Sequence, residues 1–180
     1  SQVFIKTTDG TSVYQCCTIE NIDINTLDTL VYADAGFGWF NLLVKNIKTI
    51  GLNNLFKVRN GTGQTGNSVV NGLFQTTGTL IDLENSTAQC DFHNCNIGLN
   101  SSTQTSAIVE YTGTINTATD KVSFNNCFFE YDDITIDTPI LETNASAAMT
   151  FIFDKCSIFH KDVVGMNGRG YYPFVLQGNS

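Results

Sequence analysis

Cys90-Asp91-Phe92-His93-Asn94-Cys95-Asn96-Ile97 decides the fold, because the chain carries the same pattern again. Val122-Ser123-Phe124-Asn125-Asn126-Cys127-Phe128-Phe129 matches it position by position, and so does Phe151-Ile152-Phe153-Asp154-Lys155-Cys156-Ser157-Ile158. In a strand, successive side chains point to opposite faces. Cys90 and Phe92 share a face, and so do Cys95 and Ile97, but Phe92 and Cys95 are separated by an odd interval. One residue there must turn a corner. Asn94 stands at it, and Asn tolerates the left-handed backbone such a corner needs.

Upstream, Val69-Val70-Asn71-Gly72-Leu73-Phe74 fits the frame well and Val44-Lys45-Asn46-Ile47-Lys48-Thr49 fits in part. Tyr14-Gln15-Cys16-Cys17-Thr18-Ile19 fits with Cys16 in the place of Asn. The position after the corner is then Cys17, Ile47, Gly72, Cys95, Cys127 and Cys156. Asn46, Asn71, Asn94 and Asn126 are expected to stack as an internal ladder at the bend, with Lys155 departing from it. Cys95, Cys127 and Cys156 are expected to stack with Cys17 as buried thiols, small apolar fillers rather than ligands.

A second series lies between the copies: Leu30-Val31-Tyr32-Ala33, Leu55-Phe56-Lys57-Val58, Leu80-Ile81-Asp82-Leu83, Ile108-Val109-Glu110-Tyr111 and Ile140-Leu141-Glu142-Thr143. Phe174-Val175-Leu176-Gln177 joins it, since Pro139 and Pro173 stand at the same offset, and residues 3–6 form its first member. Two interlocked series with one period describe an all-β solenoid of three short parallel strands per rung, with six to seven rungs. The expected rungs are about residues 3–28, 29–53, 54–78, 79–106, 107–137 and 138–172, with a further one starting at 173–180. They form a single domain (1–180), read as a piece of a longer chain because Ser1 opens directly onto an apolar run.

Composition agrees with strands and turns. The 180 residues are 42% hydrophobic but only 14% charged, below the usual quarter, so Asn, Thr, Ser and Gly carry the polarity. A net charge of −8 argues against nucleic acid or an anionic membrane as partner. Six cysteines are too sparse for a disulfide-built miniprotein and suit folding in a reducing compartment. No metal or cofactor set is read: Cys90-x2-His93-x-Cys95 has its histidine on the opposite face from its thiols.

The Asn-bearing corner between second and third strands resembles the right-handed parallel β-helix of the pectate-lyase-like superfamily, over nearly the whole chain. Within that superfamily the Asn/Thr-rich, thiol-rich sequence looks most like a tailspike or fibre segment of a virion. The resemblance implies a structural virion protein, homotrimeric, folded in the host cytoplasm, with a host-surface or glycan-binding role and other virion proteins or a polysaccharide as partners. A secreted or cell-surface adhesin is a further reading, weakened by the thiols.

The rival expectation is enzymatic. The outward column of the first strand series reads Tyr32, Lys57, Asp82, Glu110, Glu142 and Leu176. In pectinases of that superfamily the catalytic groove lies over the first sheet. Asp82, Glu110 and Glu142 are therefore the catalytic candidates for a polysaccharide lyase or hydrolase, because paired carboxylates are the working groups of glycosidic cleavage. A solvated acidic face is the plainer reading of the same column. Tyr32, Trp39, Lys57, Tyr171 and Tyr172 are candidates for glycan contact. Aromatics such as Phe37, Trp39, Phe40, Tyr171 and Tyr172 are placed in loops beside the rungs, where they could equally serve as covers or as subunit contacts.

Overall fold

One corner, repeated, sets the architecture. In the computed structural model Asn21, Asn46, Asn71, Asn94, Asn126 and Lys155 all adopt left-handed backbone, with φ between 53° and 56°. The structure describes residues 2–7, 14–34, 39–59, 64–85, 88–99, 107–112, 121–131, 139–143, 150–160 and 174–176. Among them every secondary-structure element is a strand, and every strand pairing is parallel. The chain is a parallel β-solenoid.

Three stacks build it. The first holds Val3–Thr7, Leu27–Asp34, residues 52–59, Ile81–Glu84, Val109–Thr112, Leu141–Thr143 and Phe174–Leu176. The second runs through residues 18–20, 43–45 and 68–70, then Ala88–His93, Lys121–Asn125 and Thr150–Asp154. The third runs through residues 22–24 and 47–50, then Leu73–Thr76, Asn96–Leu99, Phe128–Tyr131 and Ser157–His160. About four turns have neighbours on both sides in all three stacks, fewer than the six to seven rungs expected. The difference lies at the ends, where turns pair on one side only.

The register corrects three readings. Thr18 lies beside Leu43 and Ile22 beside Ile47, so the first corner is Asn21, not Cys16. The pattern Ile19-Glu20-Asn21-Ile22-Asp23-Ile24 has the required interval of three, and the adjacent cysteines only imitate it. Cys16 belongs instead to a second left-handed corner with Asn41 and Gly66, at φ of 56°, 57° and 69°. Cys17 accordingly precedes the second stack and leaves the thiol column to Ile22. At the other end Glu142 faces Val175, one residue short of Leu176. The shared prolines set an offset that the strand pairing does not follow.

The Asn ladder exists but faces out. Asn46, Asn71, Asn94 and Asn126 are exposed, because the interval of three leaves two consecutive residues turned away from the core. Each side-chain amide donates to the preceding one: Asn46 to Asn21 at 3.1 Å, Asn71 to Asn46 at 3.3 Å, Asn94 to Asn71 at 3.5 Å and Asn126 to Asn94 at 2.8 Å. An internal polar column occurs elsewhere, at the start of the first stack. There buried Asn54 accepts from the Thr29 hydroxyl at 3.4 Å and donates to the carbonyl of Thr79.

Like stacks on like inside. Phe92, Phe124 and Phe153 form a ring stack with centroids 4.8 and 5.1 Å apart, and Phe129 meets Phe124 edge-on at 5.2 Å. Phe92, Phe124 and Phe129 have no exposed surface, each burial contributing about 1.5–3 kcal/mol.

Candidate functional site

The first stack brings the predicted column together. Lys6, Tyr32, Lys57, Asp82, Glu110 and Glu142 occupy one register position in successive turns. Tyr32, Lys57, Asp82 and Glu110 are each flanked by buried neighbours, as in Ile81-Asp82-Leu83, so strand alternation sends the polar side chain outward. Adjacent members stand about 4.8 Å apart.

Three stacked acids alone would repel, but Asp82 is not alone. Its Oδ2 pairs with Arg59 Nη2 and lies 3.8 Å from Lys57 Nζ. Arg59 Nε also reaches Glu84 Oε2 at 2.8 Å, and its Nη1 donates to the Asp82 carbonyl at 3.3 Å. Burial works against the Arg59 charge, but the hydrogen bond and charge of Asp82, then Glu84 and Tyr32, outweigh it and leave the guanidinium pKa raised. Sequence reading missed Arg59 and Glu84. The signal was there: Lys57-Val58-Arg59 and Asp82-Leu83-Glu84 share parity one turn apart, so two cations oppose two acids in register.

Glu110 lies between Asp82 and Glu142. The chemistry of paired carboxylates needs one group to act as acid and its partner as base or nucleophile. Asp82 is engaged by two cations, and Glu110 and Glu142 are the next neighbouring carboxylates of the column. Tyr32 is half-buried, and Lys6 Nζ sits 5.3 Å from its ring centroid, so one neighbour already draws on the ring face.

Trp39 and Phe40 form a short strand beside Tyr14–Gln15 rather than a loop. Phe37, Tyr171 and Tyr172 lie outside the described residues.

A second polar cluster, on the outer face of the second stack, ties two turns. Ser123, only 2% exposed, donates to Asp91 Oδ1, Lys121 Nζ pairs with the same oxygen at 2.8 Å, and Asn125 Nδ2 donates to Ser123 Oγ at 3.3 Å. Burial pushes the Asp91 pKa up, but hydrogen bonds from Lys121 and Ser123, with the charges of Lys121 and His93, bring it below the ordinary value. The Ser123 hydroxyl proton points at a carboxylate that holds its own charge well, an arrangement suited to cross-linking turns rather than to releasing a nucleophile.

All six cysteines are free thiols. Cys95, Cys127 and Cys156 stand at one inward position, and each donates to a carbonyl of the turn before: Val69 at 3.7 Å, Phe92 at 3.8 Å and Phe124 at 3.3 Å. A hydrogen bond to Cys127 and then burial hold the Cys95 thiol neutral, and burial does so for Cys90. Neutral buried thiols are poor nucleophiles. Among the described residues no three of His, Cys, Asp or Glu gather to hold a metal ion.

Compared with protein-family models, curated proteins and solved structures, the chain matches none.

Proposed function

We propose that this chain is a structural segment of a virion attachment protein, a tailspike- or fibre-like rod that binds a host-surface glycan along its side. The observation that carries the reading is the ion-paired patch of Lys57, Asp82, Arg59 and Glu84 on the first stack. It presents fixed donors and acceptors on a rigid face, one layer about every 4.8 Å, and commits its central acid to cations. Stacked turns that hydrogen-bond throughout make a stiff solenoid, and inward free thiols suit folding in a reducing cytosol. The likeness of the corner frame to pectate-lyase-like tailspikes supports the same reading. A homotrimer is the assembly it implies, and the exposed side chains of Phe4, Ile50 and Ile152 are places for subunits to meet.

The test uses immobilised neutral and acidic polysaccharides, with assays for new reducing ends and unsaturated products. Binding without cleavage is expected, together with a trimer in sedimentation. Cleavage that disappears in Glu110→Gln would replace this reading with a polysaccharide-degrading enzyme.

A further inference from the structure

The molecule carries a surface hollow that the column does not use, at the bend leading into the first stack. It is an open depression of about 370 Å³, lined by Gln2, Thr26, Leu27, Asp28, Gly51 and Asn53. Its volume is at the small end of ligand pockets, about 300–1,000 Å³.

Val3 lies beside Thr29, and Thr29 beside Asn54. The residues just before them, Gln2, Asp28 and Asn53, therefore share one position in three successive turns. The Thr77 hydroxyl donates to Asn53 Oδ1 at 2.7 Å, and Asn53 Nδ2 donates to Asp28 Oδ1 at 2.6 Å. This relay runs one way and fixes both the amide flip and the carboxylate plane. Asp28 and Asn53, so joined, give the hollow its polar edge. Gly51 has φ of 75° and nothing nearer to its missing Cβ than the Asn25 carbonyl at 3.7 Å, so that side of the hollow carries no side chain. Leu27 adds an apolar wall.

We propose that this hollow is a subsite for one neutral pyranose ring. A half-buried carboxylate beside an amide donor matches a pair of vicinal hydroxyls, since hydrogen bonds to an ionised acceptor are the stronger kind. The leucine matches the C–H face of a sugar. The pre-set relay spares the ligand the cost of ordering these groups. A carboxylate on a chain of net charge −8 disfavours uronic or sialic acids, so the selected ring is uncharged. The inference rests on the glycan-binding reading and assigns it a ligand class and a place.

The test is saturation-transfer NMR of the whole chain with methyl hexopyranosides and with methyl glucuronide, alongside polysaccharide binding. One neutral hexoside is expected to show transfer that falls at least tenfold in Asp28→Ala and in Asn53→Ala, while glucuronide shows none. Circular dichroism and the urea midpoint establish that each variant folds. Asp28→Asn gives a second reading: it keeps the shape, removes the charge, and is expected to weaken the hexoside and admit the glucuronide. Polysaccharide binding with hexoside transfer indifferent to all three substitutions would overturn the subsite and leave the rod reading standing. Hexoside binding at the hollow without any polysaccharide binding would overturn the rod reading instead.

Discussion

Asn126 donates its side-chain amide to Asn94 at 2.8 Å, across 32 residues of sequence but a single layer of the solenoid. Both residues hold φ of 53°. The corner thus asks two things of its residue, a left-handed backbone and an outward amide, and the exposed ladder follows from the second. Exposure limits what each ladder bond contributes, because water competes for the same groups. The backbone requirement matters more, since a residue with an ordinary Cβ costs about 1–2 kcal/mol in that conformation.

Substitution at Asn94 separates the two. Asn94→Gly removes the ladder contacts and keeps the φ. Asn94→Ala loses both. Urea unfolding should show the alanine variant less stable than the glycine variant by about 1 kcal/mol. Equal losses would assign the stabilisation to the amides.

Much of this was legible in the sequence, and the reasons differ by element. The 2-3-2 spacing of Cys90, Phe92, Cys95 and Ile97 specifies faces directly, so the core columns could be read in order. It also implied two outward residues between Phe92 and Cys95, yet an internal ladder was expected. Asn21 was missed because an adjacent pair of cysteines imitated the frame. The Arg59–Asp82 pair was legible as well, since the column already set Lys57 opposite Asp82 and parity puts Arg59 on the same face, but the reading stopped at the column itself. The hollow at Asp28 had no sequence signal: its residues come from three turns and share no motif.

Gly72 occupies the inward position that holds Cys95 in the next turn, and the ring of Phe74 fills the space. A Cβ on Gly72 would lie 2.1 Å from one ring carbon and 2.5 Å from another, and Phe74 is fully buried. Gly72→Ala should therefore cost about 1–3 kcal/mol by overpacking. Phe74→Leu in the same chain should recover part of the loss, a coupling that a double-mutant cycle measures. Additive losses would place the strain elsewhere.

Arg59 is 20% exposed in its side chain and bridges Asp82 to Glu84. Arg59→Met should leave two neighbouring acids with Lys57 as the nearby cation. The expected loss is about 1–2 kcal/mol, between the values for exposed and buried pairs. Added salt should reduce it by screening. Asp82→Asn in the Arg59→Met chain should restore stability, and an unchanged deficit would show that the guanidinium acts by packing alone.

Asp91 ties stability to acid. Its folded pKa lies below the ordinary value, so the stabilisation is complete above the unfolded carboxylate pKa of about 3.9 and disappears as pH falls through the folded value. The side chain is 34% exposed, and solvent screening keeps the gain near that of a surface pair, about 1 kcal/mol or less. Asp91→Asn should flatten the decline in urea midpoint below about pH 4 while costing little more than that at pH 7. A midpoint that falls as steeply in the variant would exclude Asp91 as a source of acid sensitivity.

Thr49 offers the opposite experiment, a gain. Its hydroxyl is fully buried at an inward position of the third stack and has no hydrogen-bond partner among the described residues. The neighbours in register are apolar, with Ile24 on one side and Phe74 on the other. An unsatisfied buried hydroxyl costs about 1–3 kcal/mol, and valine has the same shape without it. Thr49→Val should raise the urea midpoint by about 1 kcal/mol of stability, with no change in the slope. Thr49→Ser keeps the hydroxyl, removes a methyl and should destabilise. A valine variant less stable than the parent would mean that the hydroxyl has a partner in solution, most simply a water held between turns.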